Sequence, residues 1–478
     1  MNGRRRFLAE FPKSVADDAA AIFVGAGVSM GAGYPSWKAL LKDIGADLGV
    51  NSDDVSDLSA LAQWGISRAR NKNRILQTIR NEIGVEKGIP EALQILCRLP
   101  VRNIWTTNYD TLIERSFTEL GRPLDSISNA ADLSLKRRAG ATRLFKMHGS
   151  VTDINNIVIA TSDYELYRKT RGAFLNILQS QLTSYSLLFV GLSFTDPNVR
   201  HVLSQIVESF DGNPPEHFAI VKPPHRDEYR SDEEYAAKKA QHDLWAEDLL
   251  RYGLVVIEID DYEEVPELLA EVERRVKANR VWVSGSWPLV GSGDAQGTLV
   301  YSVADRLGVM LAEADGALVT GAGTTVGSGV LAGFLRGLGQ SAWELDRRLT
   351  ALPFPQPQPG EKSESGQWAK LRGQLAALSG TAVFIGGMKI IGGKAVEADG
   401  VYAEFEAADQ AHLFLLPIGA TGGASLQIAH RLIGSTYEST GPNARRPSDA
   451  DLTNLIEEQD PDRIAAKAIA LLRQRFAA

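Results

Sequence analysis

Two residues in this 478-residue chain, Asn108 and His148, have side chains suited to chemistry on a bound substrate and stand at the ends of short apolar runs. An imidazole exchanges a proton near neutral pH, so His148 is a candidate base. A carboxamide is no base, but it can hold a water or a hydroxyl in line. Losing that positioning typically costs roughly two or more orders of magnitude in rate. Val101–Thr107 delivers Asn108, Tyr109 and Asp110, and Leu144–Met147 delivers His148, Gly149 and Ser150. Two glycine-rich ends accompany them: Ile22-Phe23-Val24 breaks into Gly25-Ala26-Gly27-Val28-Ser29, and Ser186–Val190 into Gly191-Leu192-Ser193-Phe194-Thr195-Asp196. Loops without bulky side chains let backbone amides approach a phosphate, which makes a dinucleotide the expected guest. The glycine spacing is not that of the hydride-transfer fingerprint, because Met30 stands where the third glycine belongs. Asp110 also suits a helix cap, and Asp196, before Pro197, reads as one.

These four ends must share a rim. Apolar runs alternate with helical periodicity throughout: a lead-in helix over Phe7–Asp17, one over Trp37–Leu48, a continuation over Leu58–Ile83, and helices over Thr111–Leu120, Pro197–Phe210 and a charged, solvated Asp227–Arg251. Ala219–Val221 and Leu254–Ile257 add strands. Strands alternating with helices predict a parallel, doubly wound sheet, whose ligands bind at the strands' carboxyl ends where the chain order reverses. A helix over Glu264–Ala278 closes this domain. The pattern then repeats at Val281–Ser286, Gly316–Thr325, Ala382–Gly387 and His412–Gly419, with helices over Ala424–Ile433 and Asp462–Phe476. The expected fold class is therefore α/β, with two Rossmann-like domains, each a mostly parallel doubly wound sheet, spanning 1–278 and 279–478. The proline-alternating stretch from Leu352 to Gly360 reads as an extended exposed loop.

Bulk properties agree with a folded protein of about two to three domains. Apolar residues make up 44% and charged residues 23%. The net charge of −8 argues against nucleic acid or an anionic membrane as the main partner. No apolar run reaches the roughly 18 to 20 residues that span a bilayer, and Arg4-Arg5-Arg6 has no apolar segment behind it, so a cytoplasmic location is expected. Cys97, the single cysteine, reads as a core thiol. His201, His217, His225, His242, His412 and His430 show no metal-ligand spacing, and no metal site is expected.

With Gly25–Ser29, Thr107–Asp110, Met147–Gly149 and Gly191–Ser193 in place, the first half resembles the sirtuin family. The second half resembles the SLOG family of nucleotide-sensing domains, through Ser284-Gly285-Ser286, Thr320–Thr324 and Gly419–Gly423. Their order in one chain resembles the effectors of the Thoeris anti-phage defence system. The first resemblance implies that Asn108 and His148 form the catalytic pair, with Gly25, Ala26, Gly27, Ser29, Asp110, Gly191 and Ser193 around NAD⁺. Sirtuin deacylases carry four cysteines on a zinc ribbon, and this chain lacks them, which points away from an acyl-peptide substrate.

The combined resemblance implies an NAD⁺ glycohydrolase with NAD⁺ as substrate and no required cofactor. Cleaving the nicotinamide–ribose bond builds positive charge on the sugar, so the site must shield an oxocarbenium-like ring and deliver water to C1′. The resemblance further implies activation by a cyclic ADP-ribose isomer made by a partner TIR-domain protein, and a homotetramer or higher assembly. Gly285, Ser286, Gly419 and Ala420 would line the regulatory pocket, Arg372 and Lys389 would meet phosphates, and Glu404 would meet ribose hydroxyls; Lys394 and Glu406 are the neighbouring alternatives. The rival readings are an NAD-dependent deacylase or ADP-ribosyl transferase, and a non-catalytic nucleotide sensor.

Overall fold

The computed structural model describes residues 3–194, 199, 203–204, 215–288, 294–355, 365–441 and 443–476. The chain divides into two compact units, Met1–Val276 and Lys277–Ala478. In the first, seven strands lie in the order β3-β4-β2-β1-β5-β6-β7: β1 Ala20–Val24, β2 Asn103–Thr106, β3 Leu124–Ile127, β4 Thr142–Lys146, β5 Ser186–Val190, β6 His217–Val221 and β7 Leu254–Glu258. Every pairing is parallel. Alternate residues of each strand enter opposite layers. Ile22, Val24, Ile104, Leu144 and Leu188 pack on one face, and Phe23, Trp105, Phe145 and Phe189 on the other. A sheet covered on both faces requires continuous apolar strands, which is why β1 reads Ala-Ala-Ile-Phe-Val and is buried throughout.

The order reverses between β1 and β5, whose carboxyl ends touch. A Cβ on Gly25 would lie 2.3 Å from the Gly191 carbonyl oxygen, and one on Gly27 2.9 Å from the Gly191 Cα. Gly191 itself has φ +69°, a left-handed conformation that suits only glycine here. The two loops pass this closely because neither carries a side chain at the crossing.

The second unit holds β8 Arg280–Ser286, β9 Ala317–Thr320, β10 Leu349–Ala351, β11 Thr381–Gly386 and β14 Phe414–Ile418 in the order β10-β9-β8-β11-β14, all parallel, with a β12 (Met388–Ile391) and β13 (Lys394–Glu397) hairpin beside it. Its order reverses between β8 and β11. Val283, Leu318, Ile385 and Leu416 face one layer and Trp282, Val319, Phe384 and Leu415 the other.

Several elements differ from expectation. The helix expected over Trp37–Leu48 is two, Trp37–Leu40 and Lys42–Asp47, broken at Leu41 (φ −96°, ψ 4°). The one expected over Leu58–Ile83 ends at Ala69 with Arg70 left-handed and restarts at Asn73. Helices Thr161–Glu165 and Tyr167–Ser184 and the edge strand β3 were not anticipated. The charged helix begins at Asp232 rather than Asp227, because Ser231 caps it through the Glu234 amide. Most of the expected Pro197–Phe210 helix, the Asp196 cap and His201 lie outside the described residues, as does the proline-rich stretch beyond Pro355. No described helix is long and apolar enough to cross a membrane.

Candidate active site

A cleft of about 800 Å³ opens over the carboxyl ends of the first sheet. Ala26, Gly27, Ser29, Asn108, Asp110, His148, Gly191 and Ser193 all line it. Gly25 does not. Its amide donates to the Val190 carbonyl at 2.8 Å and that of Gly27 to the Gly191 carbonyl at 2.9 Å, so these two glycines provide room at the crossing and their N–H groups are committed to the fold.

Asn108 sits two residues beyond β2, its own amide held by Thr106 Oγ1 at 3.0 Å. Its Nδ2 donates to the Gly25 carbonyl at 2.9 Å and to Ser29 Oγ at 2.7 Å. Ser29 in turn donates to Asp110 Oδ2 at 2.6 Å, and Asp110 Oδ1 accepts the Leu112 amide at 3.0 Å. Thr111 is the cap of the Leu112–Glu119 helix, and Asp110, one residue before it, holds the first helical amide as well as belonging to the site network. The carbonyl acceptor on Gly25 fixes which end of the carboxamide is nitrogen. Asn108 Oδ1 is thus the remaining atom of the carboxamide, buried and receiving no hydrogen bond among the described residues. Below this floor, Lys146, 1% exposed, donates to the Asp110 carbonyl and to Glu114 Oε1.

His148 follows β4 and is buried to 2% exposure. The Val158 amide donates to its carbonyl at 3.0 Å, the Trp37 ring stands tilted by 33° to its own at 6.3 Å between centroids, and Tyr164 meets it edge-on at 5.6 Å. Gly149 (φ +86°) turns the chain immediately after it, where a Cβ would lie 2.7 Å from the Asn156 carbonyl oxygen. Tyr34, another lining residue, donates to the Val85 carbonyl. Its burial, reinforced by the Asp110 charge, raises its phenol above the ordinary range.

In the second unit the reversal point carries Ser284, Gly285 and Ser286. A Cβ on Gly285 would lie 2.1 Å from the Ile385 carbonyl oxygen, the same close passage seen at Gly25. Ser284 donates to Glu404, which stands on the Asp399–Gln410 helix. Arg372, on the Ser365–Ala377 helix, lies over the rings of Phe354 and Trp368 at 5.6 and 5.8 Å, and its buried Nε has no hydrogen-bond partner among the described residues. Lys389, on β12, pairs with Asp399 at 2.5 Å. Glu404 is partly exposed, yet loss of water around its carboxyl pushes it up to about 7, against the opposing Ser284 bond and Arg372 charge. Ser286 donates to the Met388 carbonyl. Gly419 and Ala420 are buried in a turn after β14, Gly419 with no room beside Ile456 and Ala420 accepting from Gln296 at its carbonyl. The structure thus brings Arg372, Lys389 and Glu404 toward one another around Asp399, and places Gly419 and Ala420 in the buried turn after β14.

Residues 102–247 match the SIR2-like domain family, and residues 264–475 match the Sir2- and TIR-associating SLOG family. The protein named NAD(+) hydrolase ThsA from Bacillus cereus (strain MSX-D12) is 32% identical over 470 residues, covering 97% of this chain and 95% of that protein. The chain belongs to the ThsA NAD(+) hydrolase family. The ThsA of Acinetobacter baumannii (strain 532279) is 30% identical, with 94% of each chain covered. Defense-associated sirtuin 2 of Bacillus subtilis is similar over 38% of this chain at 22% identity.

Sequence reasoning missed several cleft residues of this ThsA-family chain. Trp37 and Tyr164 flank His148 from helices whose periodicity reports only their packed faces. Lys222, His242, Trp245 and Tyr262 line the far end of the cleft. His242 read as a structural or surface residue; folding brings Glu258 of β7 within 4.8 Å of it and of its neighbour Asp243, a grouping that the spacing of His242 and Glu258 in sequence does not announce. A basic residue directly after β6 was the one available signal.

Proposed function

We propose that this chain hydrolyses NAD⁺ to nicotinamide and ADP-ribose at the first cleft, with residues 1–278 as the catalytic domain and 279–478 as a regulatory domain that senses a cyclic ADP-ribose-type nucleotide. The observation that carries the reading is the Asn108–Ser29–Asp110 chain of hydrogen bonds in one cleft with His148, at the crossing of the Gly25 and Gly191 loops. The names of the family's members support the substrate and the reaction.

In this reading Asn108 Oδ1 accepts a hydrogen from the attacking water or a ribose hydroxyl. The N-glycosidic bond breaks with its electron pair passing to the nicotinamide nitrogen, which becomes neutral. Water attacks C1′ of the oxocarbenium-like sugar, and His148 takes the proton that this water releases. The aromatic enclosure by Trp37 and Tyr164 keeps bulk water from the ring. The balance is NAD⁺ and water giving nicotinamide, ADP-ribose and a proton.

Regulation is supported by the Arg372, Lys389 and Glu404 grouping at the second reversal point: two cations for phosphates and a carboxylate for hydroxyls, beside glycines that permit close approach. A partner TIR-domain protein as source of the signal, and a homo-oligomeric assembly, belong to the same proposal. Purified full-length protein, incubated with NAD⁺ with and without cyclic ADP-ribose isomers, tests it. Nicotinamide and ADP-ribose should appear in equal amounts, faster with one isomer, and His148→Ala or Asn108→Ala should lower the rate by about 100-fold or more. NAD⁺ binding without turnover under all these conditions would favour a non-catalytic sensor.

A further inference from the structure

His148 follows β4 and Lys222 follows β6, four strand positions apart in the order β4-β2-β1-β5-β6. At the usual interstrand spacing this separation is roughly 19 Å, enough for an extended dinucleotide. Both residues line the same cleft, with Ala26, Gly27 and Gly191 between them. If the nicotinamide ribose lies at Asn108 and His148, the other ribose and its purine fall beyond the crossing, over β6 and β7. That end is built for such a group. Trp245 and the His242 ring stand 5.5 Å apart between centroids, and Tyr262 lies beneath the Lys222 ammonium at 5.7 Å.

The polar equipment at this end is of mixed sign. Lys222 Nζ donates to Asp261 Oδ2 at 3.2 Å, and the Asp261 side chain is 58% exposed whereas that of Lys222 is 21% exposed. The Glu263 amide donates to Asp261 Oδ1 at 3.2 Å, so the carboxylate is anchored from two sides. The Glu263 amide and the Lys222 ammonium together hold its carboxyl below the usual carboxylate range, so it is charged at neutral pH. An anchored carboxylate accepts hydrogen bonds from the vicinal hydroxyls of a ribose and repels a phosphate there; a lysine does the opposite.

We infer that Asp261, held by Lys222, is a specificity-determining residue of the cleft, selecting the adenosine ribose with a free 2′-hydroxyl over one with a 2′-phosphate. Lys222 is neutralised by its partner in this arrangement and is released toward a phosphate when the carboxylate is lost. The inference rests on the reading of this cleft as an NAD⁺ site, and adds which dinucleotide the cleft admits.

The test is calorimetric titration of the full-length protein with ADP-ribose and with 2′-phospho-ADP-ribose, for wild type, Asp261→Asn and the double variant Asp261→Asn with Lys222→Ala. Lys222 lines the cleft, and Asp261 is its exposed ion-pair partner, next in sequence to the lining residue Tyr262; thermal unfolding checks that each variant is folded. Wild type should prefer ADP-ribose; Asp261→Asn should shift the ratio of the two dissociation constants toward the phosphorylated ligand by at least about tenfold. Adding Lys222→Ala should reverse most of that shift. An unchanged ratio in Asp261→Asn, or a wild type that already prefers the phosphorylated ligand, overturns the inference while leaving the cleft a dinucleotide site. Binding of neither ligand to wild type overturns the underlying reading of the cleft, and the inference with it.

Discussion

Ser29 is the joint of the first site. It accepts from Asn108 and donates to Asp110, so one hydroxyl fixes the direction of a carboxamide and of a carboxylate together. Ser29→Ala leaves Asn108 anchored only by the Gly25 carbonyl and frees Asp110 Oδ2. A group that only orients another should affect turnover more than binding. We therefore expect kcat for nicotinamide release to fall by about tenfold or more with KM little changed, and the unfolding midpoint to move by less than it does for a core truncation. Equal losses in kcat and in NAD⁺ affinity would assign Ser29 to substrate contact instead. The role was legible from sequence only as proximity to a glycine loop; the hydrogen-bond direction required Asn108 and Asp110 to arrive from an adjacent strand.

At the scale of elements, the crossing of the β1 and β5 loops decides whether there is a cleft at all. Gly191 adopts φ +69°, and a Cβ there would stand 2.8 Å from the Val28 amide nitrogen. A left-handed L-residue costs about 1–2 kcal/mol before any clash is counted. Gly191→Ala should therefore destabilise the protein by at least about 2 kcal/mol and disturb the Ala26–Gly31 turn, measured as a lowered denaturant midpoint and lost NAD⁺ turnover. Stability and turnover equal to wild type would show that the crossing is not needed. This geometry was largely readable in advance, because Gly25 and Gly191 each end an apolar run and a doubly wound sheet brings such ends together. What was not readable follows from weak local signals. β3 is four residues long with only Ile127 buried, and the Tyr167–Ser184 helix carries Phe174, Leu175, Leu178 and Leu182 inward beside a non-helical Arg171 that interrupts its period. Lys222 and Asp261 are 39 residues apart and meet only because β6 and β7 pair in parallel.

Across the whole molecule, one physical device appears twice: a parallel sheet whose order reverses beside a glycine, with polar side chains brought to that point from strand ends in the first unit and largely from helices in the second. In the second unit the device carries a cost. Glu404 has its carboxyl raised from an ordinary 4.5 to about 7, so the folded chain holds a proton that the unfolded chain releases. Below about pH 4.5 both states are protonated and the site is neutral to stability. As pH rises toward 7 the unfolded state gains by ionising, and folding stability falls by about 3 kcal/mol, levelling above that range. Glu404→Gln removes the titration and keeps the hydrogen bond to Ser284 available. Denaturant unfolding of both proteins from pH 4.5 to 8 should show the wild type losing stability relative to the variant across that window. A ligand whose hydroxyls or cationic surroundings satisfy the carboxylate should stabilise the wild type more at pH 8 than at pH 5, because only the ionised acid has a penalty to relieve. Parallel pH profiles for the two proteins would show instead that Glu404 is solvated like any surface acid, and the second reversal point would lose its claim to be a strained binding site.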